Sequence, residues 1–378
     1  MSTRAAPLIA LALATTSLVA CGPDGPAEEP PLTEEALAAI GEEPGAPTEA
    51  LARQVDELFT MEGLGETRAL IVLHDGKIAA ERYGEGYDAD TRFVSWSMAK
   101  TLTAILIGQL VGDGLLQLDQ PAPVPRWQRS GDPRADITLR HLLQMRSGLE
   151  HTEAGDPPWE SSEVRMLFLD GRDDMADYAT AQPPEAEPGE QFEYSSNTTV
   201  ILADIAARTL SRGDAPEERR RAVAEYLQAR LFEPLGMASA VPEFDRAGTL
   251  IGGSLVHATA RDWAKLGELL RRKGSHEGEQ LVPRSWVEEM VKPSPASPHY
   301  GLQTWLNRPL DGNDEHPLFP TRAPHSAFSM IGHMGQYVFV SPEQRLTVVR
   351  LGHSNRDERI AMLRQFADIV ELYPTSGR

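Results

Sequence analysis

Ser97-Met98-Ala99-Lys100 sets a hydroxyl and an amine three residues apart, directly ahead of the apolar run 102–111. If that run is helical, positions i and i+3 share a face, and the lysine nitrogen reaches the serine oxygen. The start of such a helix also offers free N–H groups and a positive dipole end, which suit an oxyanion forming at Ser97. That arrangement fits an activated serine nucleophile with lysine as base. Alone the motif is weak: with 22 Ser and 5 Lys in 378 residues, about 0.3 such pairs arise by chance. Its weight depends on what accompanies it along the chain.

Upstream, residues 1–20 read as a secretory signal, with Arg4 as the n-region charge and 8–13 as a short apolar core. The apolar part is too short to span a bilayer. Leu18-Val19-Ala20-Cys21 ends it in the manner of a bacterial lipobox, so Cys21 is expected to be lipidated. This implies an exported, envelope-anchored protein, at the outer membrane or periplasmic face if the cell is diderm. Cys21 is the single cysteine, which excludes an intrachain disulfide. Residues 22–50 hold eight acids, six prolines and no Lys or Arg. Segment 21–47 is therefore expected to be a solvated tether, with at most a helical turn at 34–40.

Thirty-six basic against 56 acidic residues leave a net charge of −20. Such acidity argues against nucleic acid and against anionic lipid as surface partners, leaving a small molecule or short peptide as substrate. Membrane contact is expected only through the lipid anchor, and oligomeric state is not legible. No His-x-x-x-His or carboxylate–histidine spacing suggests a metal, and the chemistry of an activated serine requires no cofactor.

From residue 48 onward about 330 residues remain, enough for one large domain or two interleaved parts. Helical spacing at 48–59 precedes two strands, 69–73 and Lys77–Tyr83, joined by the turn Asp75-Gly76. Helices are expected at 138–145, 198–209, 216–232, 260–272 and 283–291, with helical turns at Ser162–Phe168 and 174–178 inside the loop-rich 150–191. Strands return at 327–331, 336–340 and 346–351, and a last helix covers 357–372. The pattern predicts an α/β (α+β) fold, with an antiparallel sheet built from both termini, flanked by helices and joined by a mostly helical subdomain. The cleft would lie between them.

Two further features meet the demands of Ser97. Tyr194-Ser195-Ser196-Asn197 places a phenol just ahead of a helix, where a nearby ammonium would hold it partly as phenolate. Gly332-His333-Met334-Gly335-Gln336 marks a strand start where glycines let substrate approach closely. In order and spacing, Ser97–Lys100, Tyr194-Ser195-Ser196 and His333-Met334-Gly335 resemble the three motifs of serine β-lactamase-like hydrolases. That family includes class C β-lactamases, penicillin-binding D,D-peptidases, esterases and 6-aminohexanoate-dimer hydrolases. Supporting segments run in the same order: Ile137-Thr138-Leu139-Arg140-His141-Leu142-Leu143, Leu231-Phe232-Glu233-Pro234-Leu235-Gly236-Met237 and Tyr300-Gly301-Leu302.

The resemblance implies a β-lactamase/transpeptidase-like domain over 48–378 and acyl transfer through Ser97, with Lys100 and Tyr194 handling its proton. It further implies an oxyanion hole from the N–H groups of Ser97 and Gln336, and substrate contacts from Ser196, Asn197, His333, Met334 and Gly335. Class C β-lactamases resemble Tyr-x-Asn and Lys-Thr-Gly at the second and third motifs. Here Ser196 stands where their Asn stands, and His-Met-Gly replaces Lys-Thr-Gly. A lysine there would grip a β-lactam carboxylate; a histidine is mostly neutral near pH 7. An amide or ester hydrolase is therefore expected. A β-lactamase or D,D-peptidase is the first alternative, and a non-catalytic surface-binding lipoprotein the second. Specificity is expected to lie in segment 151–191 and around 319–328, with Trp159, Tyr300 and Trp305 as candidate pocket walls.

Overall fold

A computed structural model describes residues 31–309 and 317–375. The expected signal 1–20, Cys21 and the first part of the tether lie outside the described residues.

Three groups of antiparallel strands form the β-structure. They are β1 (Glu66–His74), β2 (Lys77–Tyr83), β3 (Arg92–Val94), β4 (Val241–Pro242), β5 (Val256–Thr259), β6 (Ser275–His276), β7 (Glu279–Gln280), β8 (Trp305–Leu306), β9 (Phe328–Gly332), β10 (Gln336–Ser341) and β11 (Leu346–His353). The main sheet has six strands in the order β2-β1-β11-β10-β9-β8, so the two ends of the chain do build it together. Strand β5 sits between β3 and β4 in a small second sheet, and β6–β7 is a hairpin. Asp75 and Gly76 both take positive φ, 54° and 79°, and close β1 onto β2 as their sequence suggested.

The helices are α1 (Glu34–Ala38), α2 (Thr48–Thr60), α3 (Ala99–Gly112), α4 (Leu139–Leu143), α5 (Ser162–Phe168), α6 (Met175–Ala181), α7 (Ser196–Leu210), α8 (Pro216–Leu227), α9 (Glu233–Leu235), α10 (Ala260–Arg271), α11 (Arg284–Met290) and α12 (Arg356–Glu371). Among them none is long and apolar enough to cross a membrane.

Strand alternation divides the core in two. On one face of the main sheet, Leu70, Val72, Tyr337, Phe339, Leu346 and Val348 pack under α2 and α12. On the other, Ala69, Ile71, Val338, Val340, Val349 and Leu351 join the larger core of the helical region. Helix α3 runs through that larger core and is buried on nearly every side. This explains why its sequence is apolar without periodicity, and it fixes the Ser97–Lys100 turn to the larger core.

The tether expectation needs correction at its C-terminal end. Ala36 is fully buried, Ile40 pairs with Ala80, and the N–H groups of Gly41 and Glu81 donate to Ala79 and Ala39 carbonyls at 2.9 and 2.8 Å. Strand β2 would otherwise present an unpaired edge, and the chain covers it with main-chain hydrogen bonds. A count of apolar side chains cannot see that source of order.

Gly108 of α3 faces the Trp286 indole, whose Nε1 donates to Ala104 O at 3.0 Å. A Cβ there would lie 2.1 Å from that nitrogen. Gly→Ala ordinarily stabilises a helix interior by about 1 kcal/mol. Here overpacking wins, and Gly108→Ala is expected to lower urea-unfolding stability by about 1–3 kcal/mol.

Candidate active site

Strand β3 delivers the chain to Trp96, a non-glycine residue at φ 44°. Backbone held there costs about 1–3 kcal/mol and marks a turn imposed by its surroundings. Ser95 supplies part of that constraint, its N–H and hydroxyl donating to Val256 and Ser254 carbonyls at 2.8 and 3.1 Å. The turn leaves Ser97 half-buried, while the next helical turn carries Lys100 inward to 1% exposure.

Lys100 Nζ donates to Ser97 Oγ at 2.9 Å, to Ser196 Oγ at 2.7 Å and to the Gly253 carbonyl at 2.9 Å. Three acceptors meet the three protons of an ammonium. Glu153 Oε1 lies 3.5 Å away. Burial alone would push the Lys100 pKa down, but Tyr194, Glu153 and Glu163 outweigh it and hold the amine charged, above its ordinary value.

Tyr194 is half-buried, with its ring centre 4.7 Å from Lys100 Nζ. Burial raises its phenol pKa and prevails over the Lys100 charge and hydrogen bonding to Ser97 and Lys100. The expected partial phenolate is therefore corrected: at rest the phenol keeps its proton. Behind it stand Tyr300 and Trp305, with ring centres 5.9 and 5.2 Å from Tyr194. Tyr300 is fully buried and Trp305 half-buried, so they back the phenol rather than form an open wall. Trp159 is exposed on the loop before α5.

Ser196 meets Lys100, but its full burial corrects the expected substrate contact. It is fully buried at the start of α7 and, besides Lys100, meets two carboxylates. Glu153 Oε1 is 2.8 Å and Glu163 Oε1 2.9 Å from its hydroxyl, and its N–H donates to Glu153 Oε2 at 2.6 Å. Neither acid was singled out from the sequence, because nothing local distinguishes them among 56 acidic residues. Burial, then Glu153, raises the Glu163 pKa to about 7 despite the Lys100 charge.

The other expected contacts need correction. Asn197 is fully buried and its amide has no hydrogen-bond partner among the described residues, so it bridges nothing to the cleft. His333, Met334 and Gly335 form the turn between β9 and β10, not a strand start. Met334 and Gly335 both take positive φ, 61° and 78°. Met334 is half-buried and its carbonyl accepts from Ser354 N–H at 2.9 Å, while Gly335 lies under the Arg350 guanidinium, which donates to its carbonyl at 2.8 Å. His333 alone is exposed, its ring edge-on to Trp96 at 5.7 Å. Partial burial and the nearby His353 lower its pKa, so it is neutral at pH 7.

Gln336 is corrected as an oxyanion donor. Asn307 N–H donates to the Ala327 carbonyl at 2.9 Å, so residues 327, 329 and 331 turn their main-chain groups toward β8. Residues 328, 330 and 332 then face β10, and Gln336, opposite Gly332, bonds inside the hairpin. Its side-chain amide donates to the Val94 carbonyl at 2.9 Å, tying β10 to β3. Strand β8 ends its pairing at Ser329, so the first N–H on the open edge is that of Ile331. That edge lies against the Ser97 turn: a Cβ on Gly332 would meet the Ser95 carbonyl at 2.5 Å.

Residues 60–370 match the Beta-lactamase family model. The chain belongs to the beta-lactamase family. Within that family it is 26% identical over 258 residues to 6-aminohexanoate-dimer hydrolase of Paenarthrobacter ureafaciens, covering 66% of this chain and 63% of that protein. It is 28% identical over 223 residues to esterase EstB of Burkholderia gladioli, covering 51% and 53%. The matches thus span under two thirds of these curated relatives. Among solved structures, a family VIII carboxylesterase superposes with a TM-score of 0.64 at 15% identity, over 88% of this chain and 97% of that one. The β-lactamase/transpeptidase-like fold expected from the sequence is the one found.

The close approach of β9 to the Ser97 turn gives a direct test. Gly332→Ala is expected to displace the strand edge and to lower turnover about 10- to 100-fold, the scale of a misplacement near 1 Å. Far-UV circular dichroism should be unchanged.

Proposed function

We propose that this beta-lactamase family member is a serine hydrolase that cleaves an amide or ester bond through an acyl-Ser97 intermediate. The observation that carries the reading is the 2.9 Å contact between Lys100 Nζ and Ser97 Oγ beside the Tyr194 phenol, in a turn that remains reachable from solvent. Ser97 Oγ bonds to the substrate carbonyl carbon as its proton passes to the Lys100 amine or the Tyr194 oxygen. The carbonyl oxygen, now negative, is held by the N–H groups of Ser97 and Ile331. Collapse breaks the bond to the amine or alcohol, which leaves with that proton. Water then repeats the sequence to free the acid and restore Ser97.

Both proton carriers hold their protons at rest, so the acceptor is the fraction in which one has lost it. Turnover should therefore rise with pH above neutrality.

Substrate choice follows from charge. Strand β9 brings Ser329, Met330 and Ile331 alongside the nucleophile, and the turn after it brings a neutral His333. That strand supplies no cation for the carboxylate of a β-lactam, and Glu153 adds negative charge nearby. This supports neutral or amine-bearing linear substrates over β-lactams, in keeping with relatives named for an aminohexanoate dimer and for esters.

A panel of nitrophenyl esters, a linear aminohexanoate dimer, D-amino-acid amides and a cephalosporin decides the matter. Esters or the linear amide should turn over fastest; a cephalosporin ahead of both overturns the reading. Ser97→Ala should lose at least about 10⁴-fold in turnover. We propose as well that Cys21 is lipidated after export, supported by Leu18-Val19-Ala20-Cys21. Fatty-acid labelling should then be lost in Cys21→Ala.

A further inference from the structure

Three groups meet at the Ser196 hydroxyl in a geometry that a single hydroxyl proton cannot satisfy. Lys100 Nζ at 2.7 Å donates to it. Glu153 Oε1 at 2.8 Å and Glu163 Oε1 at 2.9 Å both stand at hydrogen-bond distance, and neither has a proton to give if ionised. The hydroxyl donates to one carboxylate only. The other, held at 2.9 Å from a lone pair, needs a proton of its own. Glu153 already accepts from the Ser196 N–H and lies 3.5 Å from the Lys100 charge, which favours its ionised form. The extra proton therefore belongs to Glu163.

We propose that Glu163 is a positioning residue whose carboxyl proton, passed through Ser196, sets the charge felt by Lys100 and Tyr194 and so the pH at which Ser97 becomes nucleophilic. The proposal rests on the reading of Ser97 as nucleophile. With Glu163 neutral, one carboxylate supports the ammonium; with Glu163 ionised, two do, and Lys100 releases its proton less readily. A second negative charge likewise discourages Tyr194 from becoming phenolate. Both effects push the rising limb of activity to higher pH.

The groups facing Glu163 come from three segments. Lys100 reaches it from α3 and Glu153 from the preceding loop, with Ser196 between them on α7. Tyr194, Tyr300 and His333 form the next ring, each in the field of Glu153. The upward shift of Glu163 to about 7 agrees with a proton held on that carboxyl near neutral pH. Since Lys100 and Tyr194 both titrate above their ordinary values, the rising limb falls where wild-type Glu163 is already ionised.

Glu163→Gln keeps the shape and a donor toward Ser196 but can never ionise. The rate of acylation by a nitrophenyl ester, followed against pH, should show its rising limb moved about one pH unit toward acid. Infrared spectra of the wild-type protein near neutral pH should contain a protonated-carboxyl C=O band that the variant lacks. A rate reduced uniformly with an unmoved limb, or the absence of that band, overturns the proposal. Labelling of wild type with a fluorophosphonate separates the two readings. If Ser97 is not labelled, the serine-hydrolase assignment fails; if it is labelled and the limb stays put, only the role of Glu163 fails.

Discussion

Lys100 holds a charge where water does not reach it, and the cleft is built around that fact. Taking an ammonium out of water costs several kcal/mol unless each proton finds an acceptor and an opposite charge stands close. Ser97, Ser196 and Gly253 supply the acceptors, Glu153 the standing countercharge, and Glu163 a second one when it ionises. Each comes from a different part of the chain. The requirement of one buried amine thus pins β3, the loop after α4, α5, α7 and the segment before β5 into a common arrangement.

The fold makes such a charge tolerable by placing it at the boundary between two bodies. Helix α3 anchors Lys100 in the large core, while β9 presents a main-chain edge from the sheet, whose far face is sealed by α2 and α12. Rigid packing on both sides holds the serine turn at strained backbone angles. Around that turn Trp96, Tyr194 and Ile331 are half-buried and His333 is exposed. Specificity then depends on what lines the cleft, where the His333 imidazole is neutral at pH 7.

Much of this architecture was readable in the residues. The helix behind Ser97, the Asp75-Gly76 hairpin, the flanking helices and the closing strands all follow from period, capping and turn chemistry, which act over a few residues. The tether was misjudged because Ile40 and Gly41 are ordered by main-chain pairing with β2, which leaves no trace in composition. Gln336 was misjudged because a strand's outward face is set by its partner's register. His333-Met334-Gly335 carry the right residue types but occupy a turn, where Arg350 and Ser354 engage the main chain.

The sequence by itself determined that a serine and a lysine share one helical face, that a tyrosine precedes another helix, and in what order they come. These are consequences of local geometry. Only the tertiary structure decided which proton sits where. Glu153 and Glu163 stand 43 and 33 residues from Ser196 along the chain, yet within 3 Å of its hydroxyl. Protonation depends on burial and on charges brought from elsewhere, and no short-range pattern encodes either. The same holds for the choice of Ile331 over Gln336 at the strand edge, fixed by pairing between segments that meet only when the sheet closes.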